Sequence, residues 1–127
     1  MQVYLAYLAA NRARSWKSGE TLLSLAQRRP DFLAVHHIFP ATATRNGARR
    51  TDTHCMANYA LLSQTDNERF SSSEPADVLL QLKPDQQRRA KLQLGTTDPD
   101  DLLDQEDFLV GRAKRLAEEL NQFLGLP

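Results

Sequence analysis

Two apolar runs, each too short to be a helix, set the strongest limit on what this chain can fold into. Residues 33–39 read Leu-Ala-Val-His-His-Ile-Phe and stop at Pro40. The proline ring fixes its own φ and disfavours helix in the residue before it. Residues 59–62 read Tyr-Ala-Leu-Leu and run into Ser63-Gln64-Thr65-Asp66. That tetrad is a helix-opening pattern: Ser63 accepts from first-turn amides and Asp66 reaches back to the cap. Short apolar runs bounded by such signals predict strands. Between them, residues 41–56 are polar and carry Arg45, Asn46, Gly47, Arg49 and Arg50, which predicts a loop. The order strand, loop, strand, helix is a ββα unit.

The remainder reads as helix. Residues 2–13 place Tyr4, Tyr7 and Leu8 on one face, with Leu5 close by. This segment has no N-cap, which leads us to expect the chain to be the C-terminal part of a longer protein. Ser18-Gly19-Glu20 opens a second helix reaching about Arg28, with Leu22, Leu23, Leu25 and Ala26 as its apolar positions, and Pro30 ends it. Residues 75–82 and 84–93 predict two modest helices, the second broken by Gly95. Asp104 caps the last helix. Within it Leu109, Ala113, Leu116, Leu120 and Phe123 step by four, three, four and three, the mark of one helical face. A core-packing stripe and a coiled-coil seam both fit that pattern, although it covers only about two heptads. With 127 residues, 41% of them hydrophobic, the chain is a single domain with a real core.

Charge and cysteine usage exclude several classes. Sixteen Lys and Arg balance sixteen Asp and Glu, so the chain does not coat nucleic acid by bulk charge; a local basic patch remains open. Cys55 is the single cysteine. It can form neither an internal disulfide nor a cysteine zinc finger, and a reducing cytoplasm suits it. No apolar run reaches the ~18 residues of a membrane span. The apolar start lacks a basic leader and a small-residue cleavage site, so we expect no signal peptide.

The chemistry rests on His36 and His37. Neighbours on a strand point to opposite faces, but at a fraying end both can turn towards one pocket. Alone, the pair reads either as satisfied structural histidines or as a site. Asn58 precedes the second strand and Asn67 lies in the first turn of the following helix. A ββα fold brings an imidazole and a carboxamide oxygen to opposite sides of one small cleft. On spacing alone, Asn67 is also a first-turn polar residue and Asn58 a turn former. His54 reads as a loop histidine or as a helper in metal or phosphate binding. Cys55 reads as a small apolar residue. Trp16, among Arg12, Arg14 and Lys17, either packs a helix junction or stacks on a base. Arg45, Arg49, Arg50 and Arg69 flank the cleft, either as solvated charges or as phosphate ligands.

"HHIFP", then "ANYALLSQTDN", then "EPADVL" resembles the HNH nuclease family. The likeness is greatest to the C-terminal HNH domain of GmrSD-type, modification-dependent restriction enzymes. "RSWKSGETL" is similar to that family's lead-in. "FLVGRAKRLAEELNQFL", with Phe108, Arg112 and Leu116, is similar to its terminal helix. Ala76-Asp77-Val78-Leu79 matches the family's Pro-x-x-Tyr-Leu-like helix only loosely.

The resemblance implies a role for each matching residue. His37 corresponds to the general base, His36 to the first metal ligand, and Asn67 to the second ligand on the helix. Asn58 corresponds to the middle Asn that orients the base-bearing loop. The cofactor implied is one divalent ion, magnesium or manganese, with nickel and zinc also compatible. Histidine at 36, where the family also has Asp, removes an anionic ligand and weakens the case for magnesium. The expectation is therefore an α+β, mainly helical domain spanning 1–127. Its ββα-metal (HNH) motif covers about residues 33–72 and is flanked by N- and C-terminal helices. The activity implied is metal-dependent DNA endonuclease, as effector of a cytoplasmic restriction or phage-defence system. DNA is the partner, together with an N-terminal recognition or NTPase domain that this chain lacks. A DNA-binding or interaction module that keeps the ββα shape without catalysis is the alternative, and a purely structural helical domain is a third reading.

Overall fold

The computed structural model describes residues 1–40 and 55–127. Within them the fold is mainly helical, with one small antiparallel sheet. The order is α1 (Gln2–Ala10), α2 (Leu22–Arg28), β1 (Leu33–His37), β2 (Tyr59–Ser63), α3 (Gln64–Phe70), α4 (Pro75–Gln81), α5 (Pro84–Leu94) and α6 (Gln105–Leu124). Single helical turns lie at Pro30–Phe32, Met56–Asn58 and Pro99–Leu102. No helix among the described residues is long and apolar enough to cross a membrane.

The two short apolar runs form the sheet, with Leu33 opposite Ser63, Val35 opposite Leu61 and His37 opposite Tyr59. Alternation then assigns two faces. Ala34, His36, Ala60 and Leu62 share one; Val35, His37, Tyr59 and Leu61 share the other. Ala60 and Leu62 bury in the larger apolar cluster with Trp16, Phe39, Phe70, Leu79 and Leu94. Leu61 buries in a second cluster with Tyr4, Leu8, Leu22, Leu25 and Leu116. The ribbon is the wall between them. α3 starts directly at the end of β2: Ser63 Oγ accepts from the Asp66 amide at 3.1 Å, and the helix packs across the ribbon.

The structure corrects several details. α1 ends at Ala10 and α2 begins at Leu22. The α2 cap is Thr21, whose Oγ1 accepts from the Ser24 amide, so Leu23 faces solvent. Asp66 does not reach back to the Ser63 amide; the Ser15 hydroxyl accepts from that amide instead, at 2.8 Å. On α6 the buried positions are Gln105, Leu109, Arg112 and Leu116. Ala113 is exposed, and Phe123 lies 41% exposed with its edge against Tyr7. The predicted and observed stripes share Leu109 and Leu116, and Leu120 packs partly buried against the second cluster. They part where a charged residue takes an inward position, which counting only apolar residues cannot detect.

That residue, Arg112, sits in a buried polar network. Its Nη1 donates to Ala57 O at 2.6 Å, its Nε to Gln93 O at 2.9 Å, and its Nη2 to the Tyr4 hydroxyl at 2.9 Å. Tyr4 in turn donates to Gln93 Oε1, and the Gln93 carboxamide brackets Leu61 by accepting from its amide and donating to its carbonyl, both at 2.8 Å. Helices α1, α5 and α6 are thereby tied to β2 and to the turn before it.

Candidate metal and hydrolytic site

The site begins with the way the ribbon ends. β1 stops at His37, yet pairing continues. The Ile38 amide donates to Asn58 O at 2.8 Å. One residue on, the Asn58 side chain replaces a backbone partner: its Oδ1 accepts from the Phe39 amide at 2.8 Å and its Nδ2 donates to Phe39 O at 3.0 Å. A carboxamide carries the same donor and acceptor as a peptide group, so it can extend a ladder by one rung. Ile38 and Phe39 bury on either side of that rung. The backbone leaving His37 is therefore fixed by hydrogen bonds at the next two residues.

His36 lies on the inner face and is 1% exposed. Its Nδ1 is 3.0 Å from Asn67 Oδ1, joining the strand to α3 across 31 positions. With the proton on Nδ1 this is a hydrogen bond from ring to carboxamide. Trp16 meets the imidazole edge to face, with centroids 5.7 Å apart at 80°. Burial pushes the His36 ring down to about 4; Asn67 pulls the other way by bonding to the charged form, and His37 adds a small lowering. At neutral pH the ring is uncharged, as a metal-binding imidazole must be.

His37 projects from the opposite face, as alternation requires. Its ring lies edge to face on Tyr59, its cross-strand neighbour, at 5.2 Å and 82°. The two imidazoles do not converge as a fraying strand end would allow, because the Asn58 rung keeps the end extended. They flank one strand terminus from two sides.

The structure thus brings His36 and Asn67 together, with Asn58 holding the backbone next to His37. Arg69 is exposed on α3, about 200° around the helix from Asn67. Arg45, Arg49, Arg50 and His54 lie outside the described residues. Cys55 is half-buried against the larger cluster. Sequence reasoning missed the role of the segment before α2. Ser15 Oγ donates to Asp66 Oδ2 at 2.5 Å, and the Lys17 and Ser18 amides donate to the same oxygen at 3.0 Å. Nothing local in the sequence signals a contact spanning 51 positions.

Two donors bound cis on one octahedral ion at about 2.1 Å are separated by about 3.0 Å. The His36–Asn67 spacing matches that edge and equally an ordinary N–H···O hydrogen bond. Among the described residues no group of three or more His, Cys, Asp or Glu side chains gathers to hold a metal. The side chains that meet here are one imidazole and one carboxamide. No family model, no curated protein and no solved structure matches this chain.

The buried neutral His36 gives a pH dependence. The unfolded chain protonates this histidine near 6.5, the folded protein near 4. Above 6.5 neither state is charged and the stability is present in full. As pH falls from 6.5 towards 4, the unfolded state binds a proton that the folded state refuses. Stability then declines by about 1.4 kcal/mol per pH unit, reaching about 3 kcal/mol by pH 4. Urea unfolding at pH 7, 6, 5 and 4.5 measures this slope. His36→Gln flattens it, and an unchanged slope in that variant contradicts the assignment.

Proposed function

We propose that this chain is an HNH-type, metal-dependent endonuclease domain that hydrolyses DNA phosphodiester bonds. The observation that carries this reading is the 3.0 Å approach of His36 Nδ1 to Asn67 Oδ1, from a strand end and the helix that follows the ribbon. The Asn58 rung beside His37 adds to it, because the middle Asn of the resembling proteins has that task.

His36 and Asn67 would hold one divalent ion, manganese or magnesium, with nickel and zinc also compatible with an imidazole and an amide oxygen. When bound, the ion supplies charge neutralisation on the phosphoryl oxygens and stabilises the departing 3′ oxygen. His37 accepts a proton from the water whose oxygen forms the new bond to phosphorus, and the P–O3′ bond breaks. Asn58 holds the backbone beyond His37, and Tyr59 packs edge to face on the His37 ring. Arg69, with Arg45, Arg49 and Arg50, supplies charge for the DNA backbone. Recognition of modified DNA and nucleotide hydrolysis fall to an N-terminal domain or partner subunit, and the setting is a cytoplasmic restriction or phage-defence system. A non-catalytic DNA-binding or interaction module is favoured by one feature. Position 36 offers a neutral imidazole where an aspartate would draw a hard cation more strongly.

Thermal unfolding with manganese, magnesium or nickel tests the ion site. At a hundred times its Kd, a ligand specific to the folded state adds about 2.7 kcal/mol. For a chain of this size that is a rise on the order of 10 °C in Tm. His36→Ala and EDTA both remove the rise. A Tm indifferent to all three ions in the wild type overturns the metal site, and absence of plasmid nicking alongside a normal Tm rise supports the non-catalytic module.

A further inference from the structure

We propose that residues 15–18 form the positioning element of the His36–Asn67 site; the inference rests on the ion-binding reading above. The segment touches one proposed ligand, His36, and the residue that precedes the other, Asp66. Trp16, 1% exposed, abuts the His36 ring edge to face. Its indole Nε1 is buried with no hydrogen-bond partner among the described residues, so shape alone seats it. On either side of Trp16, Ser15 Oγ and the Lys17 and Ser18 amides converge on one oxygen of Asp66, the residue before Asn67. Asp66 is 2% exposed, and the Oγ of Ser63, which caps its amide, lies 3.1 Å from Ser15 Oγ.

The geometry has a direct consequence. Asn67 is half-buried, and no side-chain bond other than that to His36 is recorded for it among the described residues. Its placement comes from the first turn of α3, a helix of only seven residues. Three donors on Asp66 hold that turn in place, while Trp16 stops the His36 ring from rotating away. Outer partners that orient metal ligands typically change metal affinity by about 10–100-fold when removed. Ser15, Trp16 and Asp66 are positioning residues in this sense: they act through His36 and Asn67 and touch no substrate.

The test is manganese affinity of the full chain, followed by the electron paramagnetic resonance signal of free Mn²⁺. Trp16 is the chain's single tryptophan, so quenching of its emission by bound Mn²⁺ gives a second readout. Asp66→Ala and Ser15→Ala are expected to weaken binding at least tenfold, and Asp66→Asn, which retains an acceptor oxygen, to recover part of the loss. Leu116→Ala destabilises the second apolar cluster away from the site and is expected to leave the affinity unchanged. If Asp66→Ala fails to fold, Ser15→Ala decides. Affinity in these variants equal to that of Leu116→Ala overturns the inference and leaves the ion site standing. Wild-type protein that binds no Mn²⁺ at millimolar concentration overturns the ion site itself, and the positioning role with it.

Discussion

On the endonuclease reading proposed above, His37→Ala is expected to fold normally, to keep the ion-induced rise in Tm and to lose plasmid nicking by about 10²–10⁴-fold, the usual range for removing a general base. The separation of these effects follows from the ribbon. His37 lies on the opposite face from His36 and half-buried against Tyr59, so truncating it leaves the His36–Asn67 pair undisturbed. The Asn58 rung bonds to Phe39 and does not depend on the His37 side chain. Ligand binding and proton transfer should therefore be separable by single substitutions. His36→Ala or Asn67→Ala loses both the Tm rise and cleavage; His37→Ala loses cleavage alone. Imidazole added to His37→Ala restores part of the rate if the missing group is a proton acceptor. Nicking by His37→Ala at the wild-type rate, with manganese present and a second nuclease excluded, removes His37 from the chemistry.

The second large effect is on stability. Arg112→Met lowers the unfolding free energy by about 2–3 kcal/mol, measured as a shift of the urea midpoint at constant slope. Methionine roughly fills the space but donates nothing. Ala57 O loses its 2.6 Å partner, while the Tyr4 hydroxyl loses the donor at 2.9 Å but keeps its own bond to Gln93 Oε1. Each buried polar group left unpaired costs about 1–3 kcal/mol. Gln93 O is spared the full loss, because Arg115 Nη2 also donates to it at 2.8 Å. Arg115→Met is the comparison: that side chain is partly exposed and pairs with Glu119, so its loss costs about 1 kcal/mol. A change below 1 kcal/mol for Arg112→Met would mean that the carbonyls find water, and the network would be incidental.

Legibility in the sequence follows the range over which each signal acts. The ribbon, the Ser63 cap, the Asp104 cap and the breaks at Pro30 and Gly95 are local, and local chemistry predicts them. The ββα order follows from those same signals. The ββα order sets an imidazole against a carboxamide, and the resemblance singles out His36 and Asn67, since a first-turn asparagine by itself has other ordinary uses. Two kinds of feature were hidden. Arg112 is charged and buried, and its backbone-carbonyl partners leave no complementary residue type to search for. Ser15 and Asp66 meet across 51 positions; Asp66 looked like half of a capping box because its sequence spacing suits one. In the fold its carboxylate finds better donors in the Lys17 and Ser18 amides.

β2 offers one further consequence. Leu61 and Leu62 are adjacent in the chain yet belong to different apolar clusters. A slip of β2 by one residue would exchange their environments, so the alignment of this short strand is enforced from both sides at once. Slow amide-proton exchange at positions 60–62 would then report opening of the ribbon from both of its faces.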